Sequence, residues 1–174
     1  MTDITIVVAT YNRPAWLEVE LHSILASAAT VKPRGIEPRI LVVDDCSETL
    51  AAREITGRLG VDYHRMPSNG GLAPTLAAGF ERVDSTYYAL WGDDDYMLPR
   101  WFGCSLDVIE QGHDVVSASY WRTDADLRLV QQQVLAPVTF GDLRAGRVSA
   151  NDGALVRREA VDGISFRPER ERAM

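Results

Sequence analysis

The chain is short of several things, and each scarcity excludes something. Lys32 is its only lysine, and 25 acids face 18 basic residues in 174, a net charge of −7. With a sequence pI near 4.9, that balance argues against a nucleic-acid backbone as the main partner, because phosphates demand a basic face. Cys46 and Cys104 are the only cysteines. They show no metal-ligand spacing and read as free thiols of a reducing compartment. No apolar run approaches the roughly 20 residues needed to span a bilayer. The strand pattern also begins at once, leaving no room for a signal peptide, so a cytoplasmic protein without a direct membrane span is expected. Internal repeats, low-complexity stretches and domain linkers are absent too.

What is present is a hydrophobic content of 46% beside 25% charged residues, enough for one good core and hence one domain. Strand and helix patterns alternate. Ile4-Thr5-Ile6-Val7-Val8-Ala9 reads as a central strand covered on both faces. Pro14 opens a helix with Trp16, Leu17, Leu21, Ile24 and Leu25 along one stripe. Arg39 to Val43 forms a second buried strand, and Ser47 is placed to cap a helix that Gly60 closes. A short strand over Val61 to Arg65 follows, then a helix from Gly70-Gly71 to Phe80, then the strand Tyr87 to Trp91. Such alternation is the mark of an α/β fold with a mostly parallel sheet. Ligands of these sheets lie beyond the carboxyl ends of the strands. Thr10-Tyr11-Asn12-Arg13, Asp44-Asp45 and Asp93-Asp94-Asp95 all fall there and should line one crevice.

After about Gln111 the pattern loosens. Val115 to Ser119 reads as a strand, Trp121 to Val134 as a hairpin around Asp124-Ala125-Asp126, Gly141 to Gly146 as a helical turn, and Gly153 to Val156 as a last strand. The expected organisation is a regular α/β half over 1–112 and a looser part over 113–174, within a single domain.

The acid triplet is the most informative feature. A strand without polar interruption ends in Gly92-Asp93-Asp94-Asp95, with Pro99 and Trp101 opening a helix just beyond. Three adjacent carboxylates repel one another, so a buried strand end keeps them only if something cationic offsets the charge. A hard divalent ion that itself holds a diphosphate is the natural candidate; a solvated acidic turn is the plain alternative.

Val7-Val8-Ala9-Thr10-Tyr11-Asn12-Arg13-Pro14 resembles the opening strand and loop of the family 2 glycosyltransferases, which have the GT-A fold. Val42-Val43-Asp44-Asp45-Cys46-Ser47, Asn69-Gly70-Gly71-Leu72-Ala73, Gly92-Asp93-Asp94-Asp95 with Pro99, and Gly153 to Glu159 are similar to later motifs of that family, in order. The resemblance implies a single GT-A domain, with nucleotide-sugar binding in the 1–112 half and the acceptor side in the 113–174 part. Its activity would be metal-dependent, inverting transfer of a sugar from a nucleoside-diphosphate donor to a hydroxyl acceptor. It also implies Mg²⁺ or Mn²⁺, held by Asp94 with Asp95 in support, while Asp93 contacts the ribose. Asp45 would bind the base or ribose, and Asn69 and Gly70 belong to the glycine-led helix start. Tyr11 offers a face for base stacking, worth roughly 1–3 kcal/mol, or is a tyrosine packed on the first helix. Arg13 reaches a phosphate or is an ordinary surface arginine. Asp44 reads as structural.

The chain departs from the family pattern in two places. Leu76-Ala77 stands where an arginine-asparagine pair is common, and no clear general base follows the acceptor-side helix. Asp152, Glu169 and Glu171 are the available carboxylates for deprotonating an acceptor hydroxyl. A sugar-nucleotide-binding module without turnover is therefore one alternative, and a sugar-1-phosphate nucleotidyltransferase is another. The latter needs a glycine-rich basic loop after the first strand, which Thr10 to Pro14 is not. A dinucleotide-binding domain is excluded, since no G-x-G-x-x-G follows that strand.

Overall fold

The computed structural model describes residues 2–124, 126, 128–133 and 153–161. Strands β1 (Ile4–Thr10), β2 (Arg39–Asp44), β3 (Asp62–Arg65) and β4 (Tyr87–Gly92) alternate with helices α1 (Pro14–Ala29), α2 (Ala51–Leu59), α3 (Leu72–Phe80) and α4 (Trp101–Ile109). Then follow β5 (Val115–Val116), β6 (Tyr120–Thr123), β7 (Leu129–Gln133) and β8 (Leu155–Arg157). The main sheet has the order β3-β2-β1-β4-β8-β5, and β6 pairs with β7 in a separate ribbon. β1 is parallel to β2 and β4, whereas β8 runs antiparallel to β4 and β5.

All seven residues of β1 are buried, because both faces of the strand are covered. Ile4, Ile6 and Val8 point into a core built with Leu17, Leu21 and Ile24 of α1, Ile55 of α2, and Phe102 and Leu106 of α4. Val7 points the other way, with Leu41, Val43 and Tyr88, towards Leu76 and Phe80 of α3. Helix α3 sits unusually close to the sheet. A Cβ on Gly79 would lie 2.3 Å from a Val7 methyl, so no other residue fits there. Leu76, where the family resemblance makes an arginine common, packs into this second core.

Two details differ from the sequence reading. Helix α2 begins at Ala51 with Leu50 at its N-cap, not at Ser47, whose hydroxyl donates to Asp44 Oδ1 at 2.5 Å. The last strand expected over Gly153 to Val156 is present as β8, starting two residues later and inserted antiparallel between β4 and β5. The turn expected over Gly141 to Gly146 lies outside the described residues. Among the described residues, no helix is long and apolar enough to cross a membrane.

Chain order reverses between β1 and β4: β2 and β3 extend to one side of β1, while β4 lies on the other. Crevices form at such switch points, beyond the carboxyl ends of the strands. Register brings the ends level, with Thr10 opposite Asp44 and Ala9 opposite Gly92.

Candidate functional site

The end of β1 holds the end of β4. Thr10 Oγ1 donates to Asp93 Oδ2 at 2.7 Å, across the switch point. Arg13 Nη1 then donates to Asp93 Oδ1 at 3.2 Å and to Asp94 Oδ2 at 2.9 Å. The Asp93 side chain is 7% exposed and that of Asp94 is 59% exposed, so one aspartate is built into the wall and the next faces the opening. Burial pushes the Asp93 carboxyl above the usual range, although Thr10, Arg13 and the Tyr11 N–H all oppose the shift. The same pairing, through Asp93 first, holds the Arg13 guanidinium charge more firmly still.

The loop carrying Arg13 is fastened to the loop after β2. Asn12 adopts a left-handed φ of 54°, which its short polar side chain tolerates. Its N–H donates to Ser47 Oγ at 2.9 Å, and its Oδ1 accepts the Glu48 N–H at 2.8 Å. Asp45 N–H in turn donates to the Thr10 carbonyl at 2.9 Å. The backbone under Arg13 is thereby fixed, while its side chain, 52% exposed, spans from it to Asp93 and Asp94. Tyr11 is exposed beside it.

Asp44 is fully buried and takes three hydrogen bonds: from Ser47 N–H and Oγ on one oxygen, and from Tyr63 Oη at 2.6 Å on the other. Asp45 spends both oxygens on backbone, accepting Gly70 N–H at 2.8 Å and Gly71 N–H at 2.7 Å. Asn69 Nδ2 adds a longer bond to the Asp45 carbonyl at 3.4 Å. Asp45 thus clamps the turn into α3, where Gly71 needs its φ of 85°. Each carboxylate oxygen keeps a further lone pair for a ligand.

Hydrogen bonds therefore join Thr10, Arg13, Asp93 and Asp94 at the ends of β1 and β4, and Asp45, Asn69 and Gly70 beside them, with the Asp45 N–H to the Thr10 carbonyl linking the two groups; Tyr11 and Asp95 are their chain neighbours. Asp152, Glu169 and Glu171 lie outside the described residues. Gly153, next to Asp152, abuts the Trp91 ring so tightly that a Cβ there would stand 2.5 Å from it.

Sequence reasoning missed Glu20. It lies on the buried face of α1, with no exposure, and Ser23 one turn on accepts the Met97 N–H at 2.9 Å behind the acid triplet. Glu20 Oε2 has no hydrogen-bond partner. Burial, followed by the field of Asp95, pushes its carboxyl up to about 9. The signal was available: Glu20 sits three residues after Leu17 and four before Ile24, inside the apolar stripe.

Comparison with known proteins places this architecture. A crystal structure of S. aureus TarS 1-349 superposes with a TM-score of 0.70 at 20% identity, covering 92% of this chain and 48% of that one. The same TarS fragment in complex with UDP-GlcNAc gives 0.57 at 22% identity, covering 66% and 33%. The mannosyltransferase PcManGT from Pyrobaculum calidifontis, in complex with GDP-Man and Mn²⁺, gives 0.56 at 16% identity, covering 66% and 34%. At such identities the likeness is one of fold, and the chain spans about half of the TarS fragment. No curated protein matches in sequence. The sequence profile of Glycosyl transferase family 2, however, matches residues 5–162. That match runs from β1 past β8 and takes in both aspartate loops, so the chain belongs to glycosyltransferase family 2.

Proposed function

We propose that the crevice at the ends of β1, β2 and β4 binds a nucleoside-diphosphate sugar, and that the chain transfers the sugar, with inversion, to an acceptor hydroxyl. The observation that carries this reading is the cluster of Thr10, Arg13, Asp93 and Asp94 across the switch point. A guanidinium already lies between two carboxylates there, so the site selects for positive charge. Among the described residues, no group of three or more His, Cys, Asp or Glu side chains could hold a metal ion by itself. The donor set instead fits Mg²⁺ or Mn²⁺ held by one or two carboxylates, with phosphate and water oxygens completing the shell.

In this reading Asp94 and Asp95 hold the ion, which would neutralise charge developing on the departing diphosphate. Asp93, fixed by Thr10, orients the ribose. Tyr11 stacks on the base, and Asp45 meets the base or ribose with its remaining lone pairs. Arg13 binds a phosphate oxygen. Asp152, Glu169 and Glu171 stay the candidates for the base that removes the acceptor proton. PcManGT supports the reading as a family-like fold that carries GDP-Man and Mn²⁺.

Calorimetry with UDP and with GDP, in Mn²⁺ and in chelator, tests the binding half. Tighter binding of one nucleotide in Mn²⁺ is expected, and equal affinity in both conditions sinks the metal assignment. Donor turnover tests the other half. A general base is worth typically ~100- to 10,000-fold, so hydrolysis without transfer identifies a binding module lacking its base.

A further inference from the structure

Two contacts of Arg13 do not fit a residue that only waits for phosphate. Its guanidinium is engaged by carboxylates, at 3.2 Å from Asp93 and 2.9 Å from Asp94. The two partners are held unequally. Asp93 is buried and has Thr10 at 2.7 Å whether or not Arg13 stays. Asp94 is exposed, so a competing cation can approach its carboxylate from the crevice. The Arg13 backbone cannot follow its side chain, because Asn12 is clasped to Ser47 and Glu48. The guanidinium can therefore leave Asp94 only by swinging on a fixed stem.

Resting on the metal and diphosphate reading above, we propose that Arg13 is the resident counter-ion of the Asp93–Asp94 pair. A divalent cation displaces it from Asp94, and the released guanidinium then takes a phosphate oxygen of the donor. Electrostatics favours the order of events. Adjacent carboxylates repel one another, and a tethered single charge relieves this until a double charge arrives. A guanidinium left beside a newly bound cation is repelled, and the diphosphate is the anion within its reach. The exchange makes metal and donor binding cooperative, since the metal frees the group that the donor needs. It also makes Arg13 a competitor of the metal and a ligand of the donor, two roles of opposite sign.

The opposite signs give the test. Mn²⁺ binding to the full chain is read by electron paramagnetic resonance of the free ion, first without nucleotide, for wild type, Arg13→Gln, Arg13→Lys and Asp94→Asn. UDP and GDP affinities are then measured by calorimetry in saturating Mn²⁺. Arg13→Gln is expected to bind Mn²⁺ alone about two- to fivefold more tightly, the worth of an exposed ion pair. In saturating Mn²⁺ the same variant is expected to bind the preferred nucleotide at least about tenfold more weakly, having lost a charge-assisted hydrogen bond. Arg13→Lys keeps a single charge without the fork and should fall between on both scales. Unchanged or weaker Mn²⁺ binding by Arg13→Gln overturns the exchange, as does unchanged nucleotide affinity. If Asp94→Asn binds Mn²⁺ as wild type does, or wild type binds none, the metal assignment falls and the exchange falls with it. Failure at Arg13 with normal behaviour at Asp94 removes the exchange alone.

Discussion

Adjacent aspartates end both β2 and β4, and the two pairs are satisfied in different ways. At the end of β2, Asp44 and Asp45 are buried and take their hydrogen bonds from neutral donors: Ser47, Tyr63 and the N–H groups of Gly70 and Gly71. Arg65 is ion-paired with Asp44 at 3.8 Å without a hydrogen bond to it, and its Nη2 donates to the Ser47 carbonyl at 2.8 Å, so it braces the loop from outside the carboxylates. At the end of β4, Asp93 and Asp94 share one guanidinium, and Asp94 is open to solvent. Neutral donors fix a carboxylate in place at every salt concentration and need no ligand. A mobile charged donor leaves the site responsive to other cations. The first pair builds the crevice and the second works in it.

If that division is right, stability and metal response should separate cleanly between the loops. Asp44→Ala takes a fully buried carboxylate away from its three hydrogen-bond donors and from Arg65, so it should cost about 3–5 kcal/mol of folding stability. Asp94→Ala should change stability by less than about 0.5 kcal/mol, as exposed substitutions do, yet abolish the Mn²⁺-dependent part of nucleotide binding. Denaturant unfolding in chelator, with calorimetry in Mn²⁺, reads both. Comparable destabilisation by the two variants would break the comparison.

Glu20 extends the contrast beneath the second loop. It keeps its proton up to about 9 in the folded chain, whereas an ordinary glutamate loses it near 4.5. Between those values the unfolded chain is ionised at this residue and the folded chain is not. The folded state then binds the extra proton, so this contribution to stability falls as pH rises from 4.5 towards 9. Glu20→Leu should therefore flatten the pH dependence of melting and add about 1–3 kcal/mol at pH 8, by removing a buried carboxyl whose Oε1 accepts only a long bond from Ser23, at 3.3 Å, and whose Oε2 has no partner. Parallel melting curves for wild type and variant between pH 5 and 8 would show that the Glu20 carboxyl is not raised by its burial.

A smaller effect is expected at Asp45. Asparagine there would turn an NH₂ group towards the Gly70 or Gly71 N–H, losing one of two bonds. The cost should be about 1–2 kcal/mol, together with weaker nucleotide binding. Loss of stability with unchanged nucleotide affinity would confine Asp45 to clamping the turn.

How far the sequence disclosed all this follows from what each signal rests on. The parallel strands were legible because burial on both faces makes Ile4 to Ala9 and Arg39 to Val43 nearly continuous apolar runs. The positions of Thr10, Asp45 and Asp93 were legible because a strand end fixes where its next residue lies. Their partners were not, since the Thr10–Asp93 bond joins residues 83 apart in sequence, and no local pattern records which strands are neighbours. Ser47 misled for a related reason: it caps no helix, because its hydroxyl donates to Asp44, three residues back, and accepts the Asn12 N–H from the β1 loop. Glu20 was hidden by the ordinary expectation that a glutamate on a helix faces water.

The finest test of the β2 loop is Cys46. It follows Asp45 with a φ of 62°, a left-handed conformation that costs a side-chain-bearing residue roughly 1–2 kcal/mol. The strain has an evident origin. The chain must turn sharply so that Asp44 can take the Ser47 N–H at 2.8 Å while Asp45 points across to Gly70 and Gly71. Two neighbouring carboxylates aimed at different partners leave the next residue little choice of backbone. The Cys46 thiol gives something back, since it accepts from Arg65 Nη2 at 3.4 Å. Cys46→Gly should relieve the strain, lose that weak contact and gain entropy in the unfolded chain. The net change should be a stabilisation of under about 1 kcal/mol, with nucleotide affinity unchanged. A loss of stability beyond about 1 kcal/mol would mean that the thiol–guanidinium contact outweighs the strain. The hold that Arg65 already has on this loop, through the Ser47 carbonyl and the Asp44 ion pair, would then run through the thiol as well, and the two strand ends would differ less than the carboxylates' own hydrogen bonds suggest.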